Sequence, residues 1–221
     1  MVDEVDKAAD NQTFLAFLGM LRDKYLERQK GRGATFSTVI LAGVHDIKNL
    51  KIRLRPEEKH NYNSPWNIAA DFSVDMSFDA NSIAGMLDEY ESEHNTRMNT
   101  GNIAQLIYDY MSGYPFLVLR ICKLIDEQIG NWTREGVEQA VKIILNEKNT
   151  LFDDMNKKLA DYSELRNIIY KILFNGCDYA YNPDSVPIEI GITAGLISNN
   201  NGLISISNRI FETKLEALFS L

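Results

Sequence analysis

Few places in this sequence combine residue types that could do chemistry. Near its start, Met1-Val2 leads into Asp3-Glu4-Val5-Asp6. Adjacent carboxylates can hold a hydrated cation or take a proton from water. Taken alone, though, a pair at an acidic N-terminus reads as solvated charge. His45 and Asp46 follow the apolar run 37–42, and on their own they are a polar pair at a strand exit. His60 and His94 have no Cys, His or Asp partner at metal-ligand spacing and read as solvated loop residues. Cys122 and Cys177 also lack such spacing and sit in apolar surroundings, which suits reduced thiols in a cytoplasmic protein. Gly113-Tyr114-Pro115 reads as a helix junction, because proline suits a first helical turn. The phosphate-binding loop G-x-x-x-x-G-K-[ST] is missing from the sequence, which contains no Gly-Lys pair.

The elements that would position these residues follow from periodicity. Residues 11–30 predict an amphipathic helix, with Phe14, Leu15, Phe17, Leu18, Leu21 and Leu26 on one stripe and Gly31 and Gly33 ending it. Residues 37–42 are short, apolar and β-branched, as in a strand buried on both faces of a parallel sheet. Residues 71–76 predict a second strand. Helices follow at 79–93, capped by Asp79, then at 102–111, 115–129 and 133–146, the last capped by Thr133. Residues 151–158 lead into a last unit with helices at 163–175 and 187–194. A hairpin is expected across Asn201-Gly202, since Asn-Gly supplies the positive φ angles of a tight turn, and a final helix spans 208–221. The acidic run 88–93 is a solvated helix face.

Composition sets the class. The chain has 221 residues, 45% hydrophobic and 24% charged, as in an ordinary globular protein. No apolar run approaches the ~18 residues of a membrane span, and no signal peptide is evident. The net charge of −8 and pI near 5.0 do not favour nucleic acid as the main partner, although residues 28–32 and 48–55 are locally basic.

The order of these features resembles the AAA+-like, STAND-type P-loop ATPases, including the prokaryotic AAA-like domain family. The stretch Met1-Val2-Asp3-Glu4-Val5-Asp6-Lys7 resembles the end of a Walker B strand. Ser64-Pro65-Trp66-Asn67 and Ser112-Gly113-Tyr114-Pro115-Phe116-Leu117-Val118, the latter like the Gly-x-Pro motif of STAND lids, extend the likeness along nearly the whole chain. The resemblance implies that Asp3 holds Mg and Glu4 activates the attacking water. It implies that His45 or Asp46 senses the γ-phosphate, and that Gly113 and Pro115 approach the nucleotide from the lid. The implied cofactors are ATP and Mg.

The expected fold is therefore mostly α with a small α/β part: the C-terminal portion of a P-loop NTPase sheet domain over residues 1–78, a helical lid over 79–148 and a winged helix over 149–221. The missing phosphate loop departs from the family: either the chain is a fragment or it has lost nucleotide binding, and by itself it is expected to be inactive. The implied function is a nucleotide-driven conformational switch. The alternative is a non-catalytic winged-helix module, regulatory or DNA-binding. Helix 187–194 carries one acid and no base, which favours packing against protein over entry into a DNA groove. With neighbouring strands missing, the apolar run 39–41 is expected to self-associate or to leave residues 1–76 poorly ordered.

Overall fold

A computed structural model describes residues 12–41 and 76–220. The chain divides into two compact units, residues 1–74 and 75–221.

In the first unit, helix α1 spans Gln12–Gln29. Part of its apolar stripe is buried: Leu18 and Leu21, with Phe14, Phe17 and Leu41 packed on them. Gly31 (φ 70°) lets the chain turn back, and the Arg32 N–H donates to the Glu27 carbonyl at 2.8 Å. The strand expected at 37–42 is corrected over its described part. Residues 37–40 belong to no ladder and Leu41 forms only an isolated bridge. Val39 and Ile40 remain 39% and 45% exposed. A β-branched run becomes a buried strand only where neighbours pair its edges and cover its faces, so propensity alone did not decide the outcome. Ala42 and residues 71–75 lie outside the described residues.

In the second unit, four helices form a bundle: α2 (Ala80–His94), α3 (Thr100–Met111), α4 (Pro115–Leu124) and α5 (Arg134–Asn146). Side chains cap three of them. Asp79 accepts from the Ser82 N–H, Asn99 from Asn102 and Thr133 from Gly136. Helix α4 runs on into a π turn, Ile125–Ile129, which Gly130 closes in the left-handed conformation. Helix α6 (Thr150–Asp161) was not expected beyond a lead-in. Asn149 caps it, and Phe152, Met155 and Leu159 bury one face at helical spacing.

Helix α7 (Ser163–Asn175), strand β1 (Tyr179–Ala180), helix α8 (Val186–Thr193), strands β2 (Ile197–Asn200) and β3 (Leu203–Ile206) and helix α9 (Arg209–Phe219) complete the unit. The sheet order is β1-β3-β2, antiparallel throughout. The hairpin pairs Ile197 with Ile206 and Asn200 with Leu203 around Asn201 (φ 53°) and Gly202 (φ 88°). That is the turn the Asn-Gly pair predicts. Strand β1 was not expected, and it borders β3 through Tyr179 and Ile204.

One hydrophobic core runs from Ile83 in α2 to Leu215 in α9 without a break between α5 and α6. Each fully buried Leu or Ile contributes about 1.5–3 kcal/mol of transfer free energy. The core therefore binds the bundle and the helix–hairpin segment into one structure.

Candidate functional site

Asp3, Glu4, His45 and Asp46 lie outside the described residues. Gly113 and Pro115 are described, and the corner between α3 and α4 is built around them.

Helix α3 stops at Ser112, which adopts a left-handed conformation (φ 47°) with its N–H donating to the Tyr108 carbonyl. Gly113 continues in the positive-φ region at 72°. A Cβ there would lie 1.9 Å from the Phe78 carbonyl oxygen and 2.8 Å from its carbonyl carbon, both backbone atoms. No side chain can be accommodated without moving the chain. The same contact is held by a hydrogen bond, since the Phe78 N–H donates to the Gly113 carbonyl at 2.9 Å. Glycine is thus required twice over, for its φ angle and for the approach of a second backbone.

Pro115 starts α4, preceded by Tyr114 as an N-cap whose side chain makes no capping hydrogen bond. The first intrahelical donor is Val118, bonded to the Tyr114 carbonyl at 3.0 Å. Proline removes one of the free donors at this helix start, and the N–H groups of Phe116 and Leu117 have no intrahelical acceptor. Leu117 is fully buried, so the corner offers the positive end of a helix and the Phe116 N–H, on a residue that is 44% exposed. Such a start suits an anion or a polar group edge. The corner segment Ser112-Gly113-Tyr114-Pro115-Phe116 itself carries no charged side chain.

Tyr114 was not singled out by the sequence. Its ring meets Phe211 of α9 edge-on, with centroids 5.4 Å apart and planes at 82°. Burial pushes its hydroxyl pKa upward. The Arg120 guanidinium in α4 grips both oxygens of Glu147, with Nε to Oε2 at 3.2 Å and Nη2 on Oε1. That bond to Glu147 raises the Arg120 pKa further. A bidentate partner within its own bundle makes Arg120 a fastener rather than a free cation.

His94 is exposed, as expected, but it ends a helix and is not in a loop. It is the last residue of α2, its ring stacks on Tyr90 at 4.0 Å, and Nδ1 lies 3.0 Å from the Tyr90 carbonyl. The Tyr90 hydroxyl in turn donates to Asp126 in the π turn. Among the described residues no group of three or more His, Cys, Asp or Glu is placed to hold a metal ion. No described helix is long and apolar enough to cross a membrane.

No protein-family model matches the sequence, and no curated protein matches it. Among solved structures, the chain is similar to a Walker-type ATPase of Pyrococcus abyssi at 13% identity with a TM-score of 0.59. The likeness covers 97% of this chain and 61% of that one, so the chain spans less than two thirds of the ATPase it matches. At this identity the likeness is one of fold: the chain is folded like part of that Walker-type ATPase.

Proposed function

We propose that this chain is part of an ATP-dependent, AAA+/STAND-type switch, in which residues 79–148 act as a helical lid and 149–221 as a winged helix. The observation that carries the reading is the fold likeness to a Walker-type ATPase along 97% of the chain. In this reading Asp3 holds Mg, Glu4 activates water, His45 or Asp46 senses the γ-phosphate, and the Gly113–Pro115 corner meets the nucleotide. The corner supports its share of that reading with an uncapped helix start and a backbone held in place by Phe78. The winged-helix reading is supported by the order α7, β1, α8, β2, β3, α9. Helix α8 turns Ile188 and Ile190 into the core and has Glu189 as its one charged residue, which suits packing against protein better than DNA.

Because the sequence has no Gly-Lys phosphate loop, the 221-residue chain by itself should show no ATP hydrolysis and no tight binding. Tight, saturable Mg-ATP binding to this chain in a calorimetric titration would overturn that statement. In a complete protein that carries a phosphate loop, Glu4→Gln should bind Mg-ATP and stop hydrolysing it. Wild-type turnover by that variant would remove Glu4 from its role. Self-association of the isolated chain is proposed through the exposed run at Val39 and Ile40, and light scattering on a sizing column reads it directly.

A further inference from the structure

If the lid and the winged helix worked as separate bodies, the joint between them would be the segment between α5 and α6. That segment is fastened at both ends. Glu147, at the C-terminal end of α5, is held by both arms of the Arg120 guanidinium on α4. Two residues later, the Asn149 side chain accepts the Phe152 N–H at 3.0 Å and caps α6. A hinge needs backbone that can change its φ and ψ angles without losing such bonds.

The last helix also returns to the bundle at two separated points and to α6 at a third. Near its start, the Arg209 guanidinium lies 4.8 Å above the Tyr110 ring of α3. Farther on, the fully buried Phe211 meets Tyr114 edge-on. One turn later, the Lys214 ammonium sits 4.3 Å above the Phe152 ring of α6. Tyr114 is the most central of these contacts because a second backbone closes on it. Gly195, between α8 and β2, has φ 69°, and a Cβ built there would lie 3.0 Å from Tyr114 Cε2. Tyr114 also stands between Gly113 and Pro115, and Gly113 is itself locked to Phe78.

From this arrangement we infer that residues 75–221 act as one rigid lever. Tyr114 is the wedge that ties the Gly113–Pro115 corner to α9 and to the α8–β2 turn. A displacement at the corner reaches the hairpin without a hinge at residues 147–149. Packed aromatic and backbone contacts of this kind have discrete arrangements and do not deform continuously. The inference rests on the switch reading for its use, but its mechanical content can be tested independently.

The test is native-state hydrogen exchange of the full chain in rising urea, followed peptide by peptide. For a single lever, slow amides in α3 and in α9 lose protection at the same urea concentration. Tyr114→Phe keeps the ring and should leave that coincidence intact. Tyr114→Ala should make α7–α9 amides exchange at least tenfold faster than those of α2–α5. Should that variant fail to fold, Phe211→Leu removes the ring partner at similar volume and carries the same expectation. Two separate transitions in the wild-type chain would overturn the lever, as would a Tyr114→Ala effect spread equally over both halves. Coincident transitions with no Mg-ATP binding by a complete protein would uphold the lever and remove the nucleotide reading. Separate transitions with normal hydrolysis would do the reverse.

Discussion

The corners at Ser112–Pro115 and Asn200–Gly202 both turn on a non-glycine residue followed by a glycine at positive φ, yet they are constrained by different things. At the hairpin, Gly202 has φ 88° and nothing within 4 Å of a built Cβ. At the helix junction, Gly113 has φ 72° and the Phe78 backbone 1.9 Å from the same position. One glycine answers only to its own dihedral angles; the other also answers to a residue 35 positions earlier (113 minus 78). A third corner, between α2 and α3, uses no glycine. Asn95 (φ 52°) and Arg97 (φ 63°) are left-handed there, and the Glu91 carboxylate accepts from the Thr96 and Arg97 N–H groups at 3.1 and 2.7 Å. Local dihedral preference, close approach and a side-chain anchor are three separate ways of holding a bend, and each should fail differently.

The sharpest break in that comparison is alanine at the two glycines. Gly113→Ala combines positive φ with a backbone collision and should cost on the order of 3–5 kcal/mol. Gly202→Ala meets only the left-handed penalty and should cost about 1–2 kcal/mol. Urea unfolding of both variants compares them directly. Equal losses would mean that the Phe78 contact yields cheaply and that the corners do not differ in kind.

Next in size is the fastener beside the closed corner. The Arg120 and Glu147 side chains are 27% and 20% exposed, so their pairing is only partly screened. Arg120→Ala should cost about 1–3 kcal/mol. Arg120→Lys keeps the charge but loses the fork, and should recover less than half of that. Full recovery with lysine would show that charge alone matters.

The interior of α4 offers a chemical reading of the same contrast. Burial pushes the Cys122 thiol up to about 12, whereas Cys177, just beyond α7, is exposed. The thiolate is the reactive form, so iodoacetamide at neutral pH should label Cys177 and leave Cys122 unmodified until the chain is denatured. Equal labelling of the native protein would show that α4 opens readily.

The smallest effect belongs to the carboxylate-held corner. The hydrogen bond from Thr96 is the main cause that lowers the Glu91 pKa, with the Arg97 N–H also contributing. Its folded pKa lies below the unfolded value, so its stabilisation is present above the ordinary carboxylate range and is lost as pH falls through the folded pKa. Protection of the Thr96 and Arg97 amides should therefore drop below about pH 4 while the core of α3 stays protected. Glu91→Gln should weaken the same two amides at neutral pH.

Much of the second unit was legible because its signals are local. Asp79 and Thr133 cap the helices they were expected to cap, Pro115 opens α4, and Asn-Gly makes the hairpin. Helix α6 is legible too, since Phe152, Met155 and Leu159 recur at helical spacing behind Asn149. Strand β1 was not legible: two residues carry no period, and Tyr179–Ala180 is extended because β3 supplies its partner. The described part of the apolar run, residues 37–41, failed in the opposite sense. Its composition suits a strand, and composition brings no neighbour to pair with it.

The candidate site divides along the same line. Gly113 and Pro115 could be picked out from residue type and order, because φ freedom and a fixed φ are properties of single residues. That Phe78 fills the space beside Gly113, that Tyr114 carries the contact to Phe211 and Gly195, and that Arg120 is held by Glu147 could not be. Caps, turns and helix starts are determined within a few residues, where the chain itself fixes the geometry. Contacts between residues dozens of positions apart depend on which faces the whole chain brings together, and only the tertiary structure decides that.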